Sequence, residues 1–202
     1  MAQETDFLWQ RLADLVYEIG QLRQTPRTGW AFLGSNRENV AEHSFRTTVL
    51  GYLLAKMAHA NVARVMQLCL FHDLHEARSG DFNYVYHRYN TTRAREALQD
   101  ALAGTGLTNE VLGFFDEFSD KTSLEAKLAN DADQLDLIAN LNVELHKGNT
   151  FAREWLDSAL PRLETREGRM LAQTLLAEDP NSWSTSRFLN PGGCTMVSLR
   201  VR

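Results

Sequence analysis

Long apolar runs, basic charge, cysteine and proline are all scarce in this chain of 202 residues. No apolar run approaches the roughly 18 residues needed to cross a membrane, so no membrane partner is expected. Lys and Arg number 21 against 26 Asp and Glu, a net charge of −5. That balance argues against a basic face for nucleic acid or anionic lipid. The first ten residues, MAQETDFLWQ, are acidic and carry no apolar core of a signal peptide. Two cysteines, Cys69 and Cys194, make no disulfide framework, and a reducing cytoplasm is the expected location. Cys69, inside QLCLF, reads as a buried small hydrophobe. Only four prolines occur, and none lies between Pro26 and Pro161, a stretch that suits helices far better than a succession of tight turns. Hydrophobic residues make up 44% and charged residues 23%, ordinary values for one globular domain with its own core.

Apolar spacing predicts the helices. Leu8, Leu12, Leu15 and Ile19 mark one over about 7–23, followed by the irregular TPRTGWAFLGSNREN. A second spans about 40–59, and a third starts at Asn61, a good N-cap, and runs to about 77 before Ser79-Gly80. The stretch 81–90 holds four aromatic residues without a clear period and reads as loop. Shorter helices follow over 91–102 and 108–118, and a long one over 123–147. On that long helix Leu124, Leu128, Leu135 and Ile138 form one stripe, while Ala126, Ala129, Asp133 and Leu137 lie opposite. A helix apolar on two sides is buried on both, which carries Asp131, Asp133 and Asn140 toward the interior. Helices over 150–160 and 165–178 close an all-α domain of residues 1–190, and 191–202 is a tail, either frayed or an ordered arm.

Within this framework sit His43, the pair His72-Asp73, and Asp131, Asp133 and Asp136 of NDADQLD. Buried carboxylates must be paired or hold a metal. Two imidazoles with two carboxylates form a mixed nitrogen and oxygen set suited to a divalent transition ion. Helical spacing does not choose between Asp131 and Asp133. Glu76, four residues after His72 and three after Asp73, is expected on one helix face with them, where a carboxylate can hold or deprotonate an attacking water. Asp81 follows just past Gly80. His75 is expected near the site or exposed, and Trp155 and Trp183 in the core or at an interface.

Four blocks stand in order: RTGW (27–30), ENVAEHS (38–44), HDLHEARSGD (72–81) and EAKLANDAD (125–133). Together they resemble the HD-domain metal-dependent phosphohydrolases, most closely the 5′-deoxynucleotidase branch. The resemblance implies a bundle of about seven to nine helices. It also implies one divalent ion (Co, Mn, Ni, Fe, Zn or Mg) on His43, His72, Asp73 and Asp133. Glu76 and Asp81 would serve catalysis. Arg27 would meet the phosphate and Trp30 the sugar, with Asp81 also at the nucleotide. The implied activity is hydrolysis of deoxynucleoside 5′-monophosphates, with a small-molecule nucleotide as partner and a homodimer as assembly. The segment FNYVYHRYN, where the family often has a short proline-containing stretch, departs from the pattern and bears on the substrate. Other readings are a phosphohydrolase of another phosphorylated or cyclic nucleotide, a two-metal redox protein, and a non-catalytic nucleotide-binding protein stabilised by metal.

Overall fold

The computed structural model describes residues 2–35 and 38–184. Among these the chain forms ten α-helices and no β-strand, eight of the helices having seven residues or more. They are α1 (Ala2–Ile19), α2 (Val40–Met57), α3 (Val62–Phe71), α4 (Glu76–Ser79), α5 (Tyr84–Tyr89), α6 (Ala94–Leu102), α7 (Thr108–Asp120), α8 (Leu124–His146), α9 (Ala152–Ala159) and α10 (Arg166–Ala177). Short 3-10 helices cover Gly20–Arg23, Thr28–Leu33 and Leu160–Arg162. None of these helices is long and apolar enough to cross a membrane. The tail 191–202 and Cys194 lie outside the described residues.

The caps explain where the helices start. Asn39 and Glu42 form a reciprocal capping box at α2. Asn61 accepts from the Arg64 N–H at α3, Ser123 from Ala126 at α8, and Thr165 from Gly168 at α10. Each cap satisfies an otherwise orphaned amide and contributes about 0.5–2 kcal/mol.

Helix α8 is the central element, touching α2, α3, α7, α9 and α10. Its Leu128, Leu135, Ile138 and Leu141 are fully buried beside Leu54 of α2 and Val65 and Leu68 of α3. Each such side chain contributes about 1.5–3 kcal/mol by leaving water. Gly51 lets α2 and α3 close up: a Cβ there would stand 2.5 Å from Cys69 Sγ. Cys69 is fully buried, and burial pushes its thiol up, so it is an inert packing group. Because α2 and α3 are joined by a short turn, the start of α2 lies beside the end of α3. This brings His43 and His72 to one end of the pair, where their ring centroids are 5.4 Å apart.

Two expectations are corrected. The third helix is not continuous to residue 77. His72 Nδ1 donates to the Cys69 carbonyl at 2.7 Å, and the Leu74 and Glu76 amides bond three residues back, to Phe71 and Asp73. The chain tightens through 72–75, and Glu76 opens a separate helix, α4. The stretch 81–90 is not all loop, because the Asn83 side chain accepts from the Val85 and Tyr86 amides, both at 3.0 Å, and starts the six-residue α5. A helix of fewer than two turns is too short to show a hydrophobic period.

Candidate metal centre and substrate cleft

His43 Nε2 is the hub of the polar cluster. It lies 3.3 Å from His72 Nε2, 3.1 Å from Asp133 Oδ1 and 3.5 Å from Asp73 Oδ2. His72 Nε2 is 3.1 Å from the same Asp73 oxygen. The groups come from the first turn of α2, the end of α3 and the turn after it, and the middle of α8. The far side of each ring settles its tautomer. His72 Nδ1 faces a carbonyl oxygen, which can only accept, so it carries the proton and leaves Nε2 a lone pair. His43 Nδ1 faces Asp136 Oδ2 at 2.7 Å, with the same consequence.

Two nitrogen lone pairs and two carboxylate oxygens thus face one another in a site that demands positive charge. Burial and Arg27 oppose protonation of His43, yet Asp133 and Asp136 carry its pKa up to about 10. Burial also disfavours charge on Asp133, but His43, His72 and Arg27 hold it down at about 2. Asp73 is likewise held far below the ordinary carboxylate range by His72, Arg27 and His43 against burial. A divalent ion supplies positive charge in place of the proton on His43, and ion and proton compete for that nitrogen. The donor set, its tautomers and its charge fit such an ion.

A layer of buried and half-buried polar groups stands behind the cluster. Asp136, 1% exposed, bonds His43 through one oxygen and the Arg46 guanidinium through the other. Arg46 also reaches Glu38 Oε1 at 2.9 Å, where the Asn140 amide donates at 2.8 Å. Glu38 Oε2 accepts from Trp30 Nε1 at 3.0 Å. One chain of hydrogen bonds therefore runs from the Trp30 indole to the His43 ring. Arg27 amide to Glu38 carbonyl and Val40 amide to Thr25 carbonyl, both 3.0 Å, fold the 25–40 segment back on itself and bring both ends of that chain to α2.

In front of the cluster lies a cleft of about 690 Å³. Arg27 stands at its polar end, 3.2 Å from both Asp73 Oδ2 and Asp81 Oδ1. The second oxygen of Asp81 accepts the Thr28 amide at 2.5 Å and the Thr28 hydroxyl at 2.8 Å. Asp81 thereby fixes both the backbone and the head of the arginine. Glu76 is buried, and its Oε2 meets no donor among the described residues. Burial, then Asp73 and Asp81, raises its pKa to about 9. Its desolvation and the neighbouring acids thus favour the protonated form.

A family model described as HD domain matches residues 19–173. The chain belongs to the HD-domain family. It is 32% identical over 168 residues to the Bos taurus protein 5'-deoxynucleotidase HDDC2, covering 79% of this chain and 82% of that one. It is 31% identical over 126 residues to the Danio rerio protein of the same name. That second match covers 59% of this chain and 62% of the relative, so it spans less than two thirds of the relative's length. Among solved structures, a conserved hypothetical protein from Pyrococcus furiosus superposes with a TM-score of 0.70 at 28% identity, over 82% of this chain and 99% of that one.

This HD domain brings His43, His72, Asp73 and Asp133 together, with Arg27, Trp30, Glu76 and Asp81 around the same cleft. Asp131 is turned away. It is 1% exposed and accepts the Glu164 and Thr165 amides, both at 2.8 Å, holding the start of α10. His75 bonds Ser79 Oγ at 2.9 Å and stands edge-on to Phe115. Several cleft residues were not foreseen. Trp155 lines the cleft, as do Tyr84 and His87 of α5 and Arg162 after α9. Trp183 is 72% exposed and no core residue. Sequence spacing cannot reveal Trp155, which reaches the site from a helix more than 70 residues after Asp81. The aromatic density of 81–90 was the one available signal.

Proposed function

We propose that this HD domain is a metal-dependent phosphomonoesterase that converts deoxynucleoside 5′-monophosphates to deoxynucleosides and phosphate. In this reading His43, His72, Asp73 and Asp133 hold one divalent ion. The observation that carries it is the acceptor cluster centred on His43 Nε2, opening into a cleft whose same end presents the Arg27 guanidinium. The ion, when bound, supplies Lewis acidity toward the phosphate and an activated water.

The chain's own residues do the rest. Arg27 binds the phosphate dianion, and a planar fork already aligned between Asp73 and Asp81 loses little freedom in doing so. Asp81 acts on the substrate through Arg27, since both its oxygens are engaged. Water oxygen forms a bond to phosphorus as the bond from phosphorus to the 5′-oxygen breaks. That 5′-oxygen needs a proton. In this reading Glu76, whose buried position among acids favours its protonated form, gives that proton, and the proton that the water loses returns to Glu76. Trp30 presents its ring to the cleft while Glu38 holds its Nε1. An indole face accepts no hydrogen bond from a 2′-hydroxyl, which favours deoxyribose.

A cytoplasmic homodimer is the assembly that goes with this reading. Phe45, Val49, Tyr52, Leu53 and Met57 leave an exposed apolar stripe along α2 that supports self-association. The test is phosphate release from deoxynucleoside and nucleoside 5′-monophosphates with Mn, Co, Ni, Fe, Zn or Mg added to the stripped protein. Release from deoxynucleotides with at least one ion is expected. Bound metal with no release from any of them would overturn the assignment.

A further inference from the structure

Part of the cleft lining is aromatic. Trp155 of α9 lies against Trp30, with ring centroids 6.4 Å apart and planes 21° from parallel. Tyr84 of α5 meets Trp155 edge-on, at 5.8 Å and 80°. Gly29 makes room for this arrangement, because a Cβ there would press on the indole at 3.3 Å. Tyr84 is 65% exposed and also meets Phe32, at 5.7 Å. Exposed rings that converge on the mouth of a cleft mark a binding surface.

The contacts follow the order of groups along a nucleotide. Arg27 meets the acids of the cluster, Trp30 follows it in the same 3-10 segment and stacks on Trp155, and Trp155 meets Tyr84. We propose that Trp155 and Tyr84 form a nucleobase subsite, in which the base stacks beside the indole while the phosphate sits at Arg27. This rests on the nucleotidase reading above. Both elements that build the subsite fall outside the four sequence blocks on which the resemblance stands, and α5 is the segment that departs from the family pattern. Stacking tolerates any base, since every base has a π-face. Glu154 and Arg162, the charged groups that α9 and the turn after it give the cleft, are both exposed, so they add little discrimination between bases. The subsite therefore makes the enzyme depend on the presence of a base far more than on its identity.

The test compares dAMP and dTMP with deoxyribose 5-phosphate, which carries the same phosphate and sugar without a base. Wild-type protein is expected to favour the two nucleotides by about 5- to 150-fold in kcat/KM, mostly through KM. Trp155→Ala should remove most of that advantage while leaving deoxyribose 5-phosphate within a few-fold. Where its turnover is too slow to follow, its inhibition constant against dAMP serves instead. Tyr84→Ala, at a more exposed ring, should move the same ratio in the same direction by less. Equal use of nucleotides and deoxyribose 5-phosphate by the wild type overturns the subsite and leaves the phosphatase reading standing. So does an equal loss on all three substrates in Trp155→Ala, which would make Trp155 a mere support for Trp30. No hydrolysis of any of the three by the metal-loaded wild type overturns both.

Discussion

Replacing Asp136 by Asn tests whether the His43 cluster is a metal centre without touching any proposed ligand. Asp136 is 1% exposed and bonds His43 Nδ1 at 2.7 Å, while its other oxygen pairs with Arg46. The amide keeps the shape and loses the charge. It can also turn its NH2 toward Nδ1, which moves the ring proton to Nε2 and removes the lone pair an ion needs. Loss of such an outer partner weakens metal binding by about 10- to 100-fold, or about 1.4–2.7 kcal/mol. At a fixed, near-saturating metal concentration the stabilisation by metal falls by the same amount. For a domain of this size that lowers Tm by about 3–11 °C relative to the shift seen in wild type. The assay is competition against a chromophoric chelator, with melting curves recorded with metal and with EDTA. The EDTA curve separates the lost Arg46 pairing from the lost metal affinity. Asp131→Asn is the control, being equally buried on the same helix but bonded to Glu164 and Thr165. It should lower Tm by about 2–12 °C through about 1–3 kcal/mol of weakened hydrogen bonding, and leave metal affinity unchanged. Wild-type affinity in Asp136→Asn, or equal weakening in Asp131→Asn, would refute the reasoning.

Asp73→Ala and Asp133→Asn should each lose bound metal and activity, read by elemental analysis and phosphate release; an unaltered metal content in either removes that residue from the ligand set. Glu76→Gln should lower kcat by about 10²- to 10⁴-fold, the usual worth of an acid–base group, with metal occupancy near wild type. Survival of activity within a few-fold would make Glu76 structural. A 2′-hydroxyl pressed on the Trp30 indole loses hydrogen bonding worth about 1–3 kcal/mol, so dAMP should exceed AMP by about 5- to 150-fold in kcat/KM. Trp30→Ala should narrow that ratio and Arg27→Ala should weaken both substrates alike, whereas equal use of dAMP and AMP by the wild type would sink the sugar argument.

Much of the molecule was legible before any coordinates. Apolar spacing and the polar residues Asn61 and Ser123 located the major helices, because caps and faces are properties of neighbouring residues. The two-sided apolar pattern of 123–147 announced the central helix, and the order of His43, His72-Asp73 and NDADQLD announced a polar cluster inside it. Spacing did not say which acid did what. At about 100° per residue Asp133 and Asp136 lie some 60° apart on α8, with Asp131 on the opposite side. Only the crossing of α2 and α3 on one flank, and the docking of residues 164–165 on the other, makes the first two face the histidines and the third hold a helix terminus. The break at His72 depended on one ring bonding the Cys69 carbonyl. The aromatic end of the cleft depended on α5 and α9 meeting across more than 60 residues of chain. Periodicity and capping act over a few residues and are carried by local sequence. The partners of a buried charge or a cleft-lining ring are chosen by which helices cross, and the packing of the whole bundle decides that.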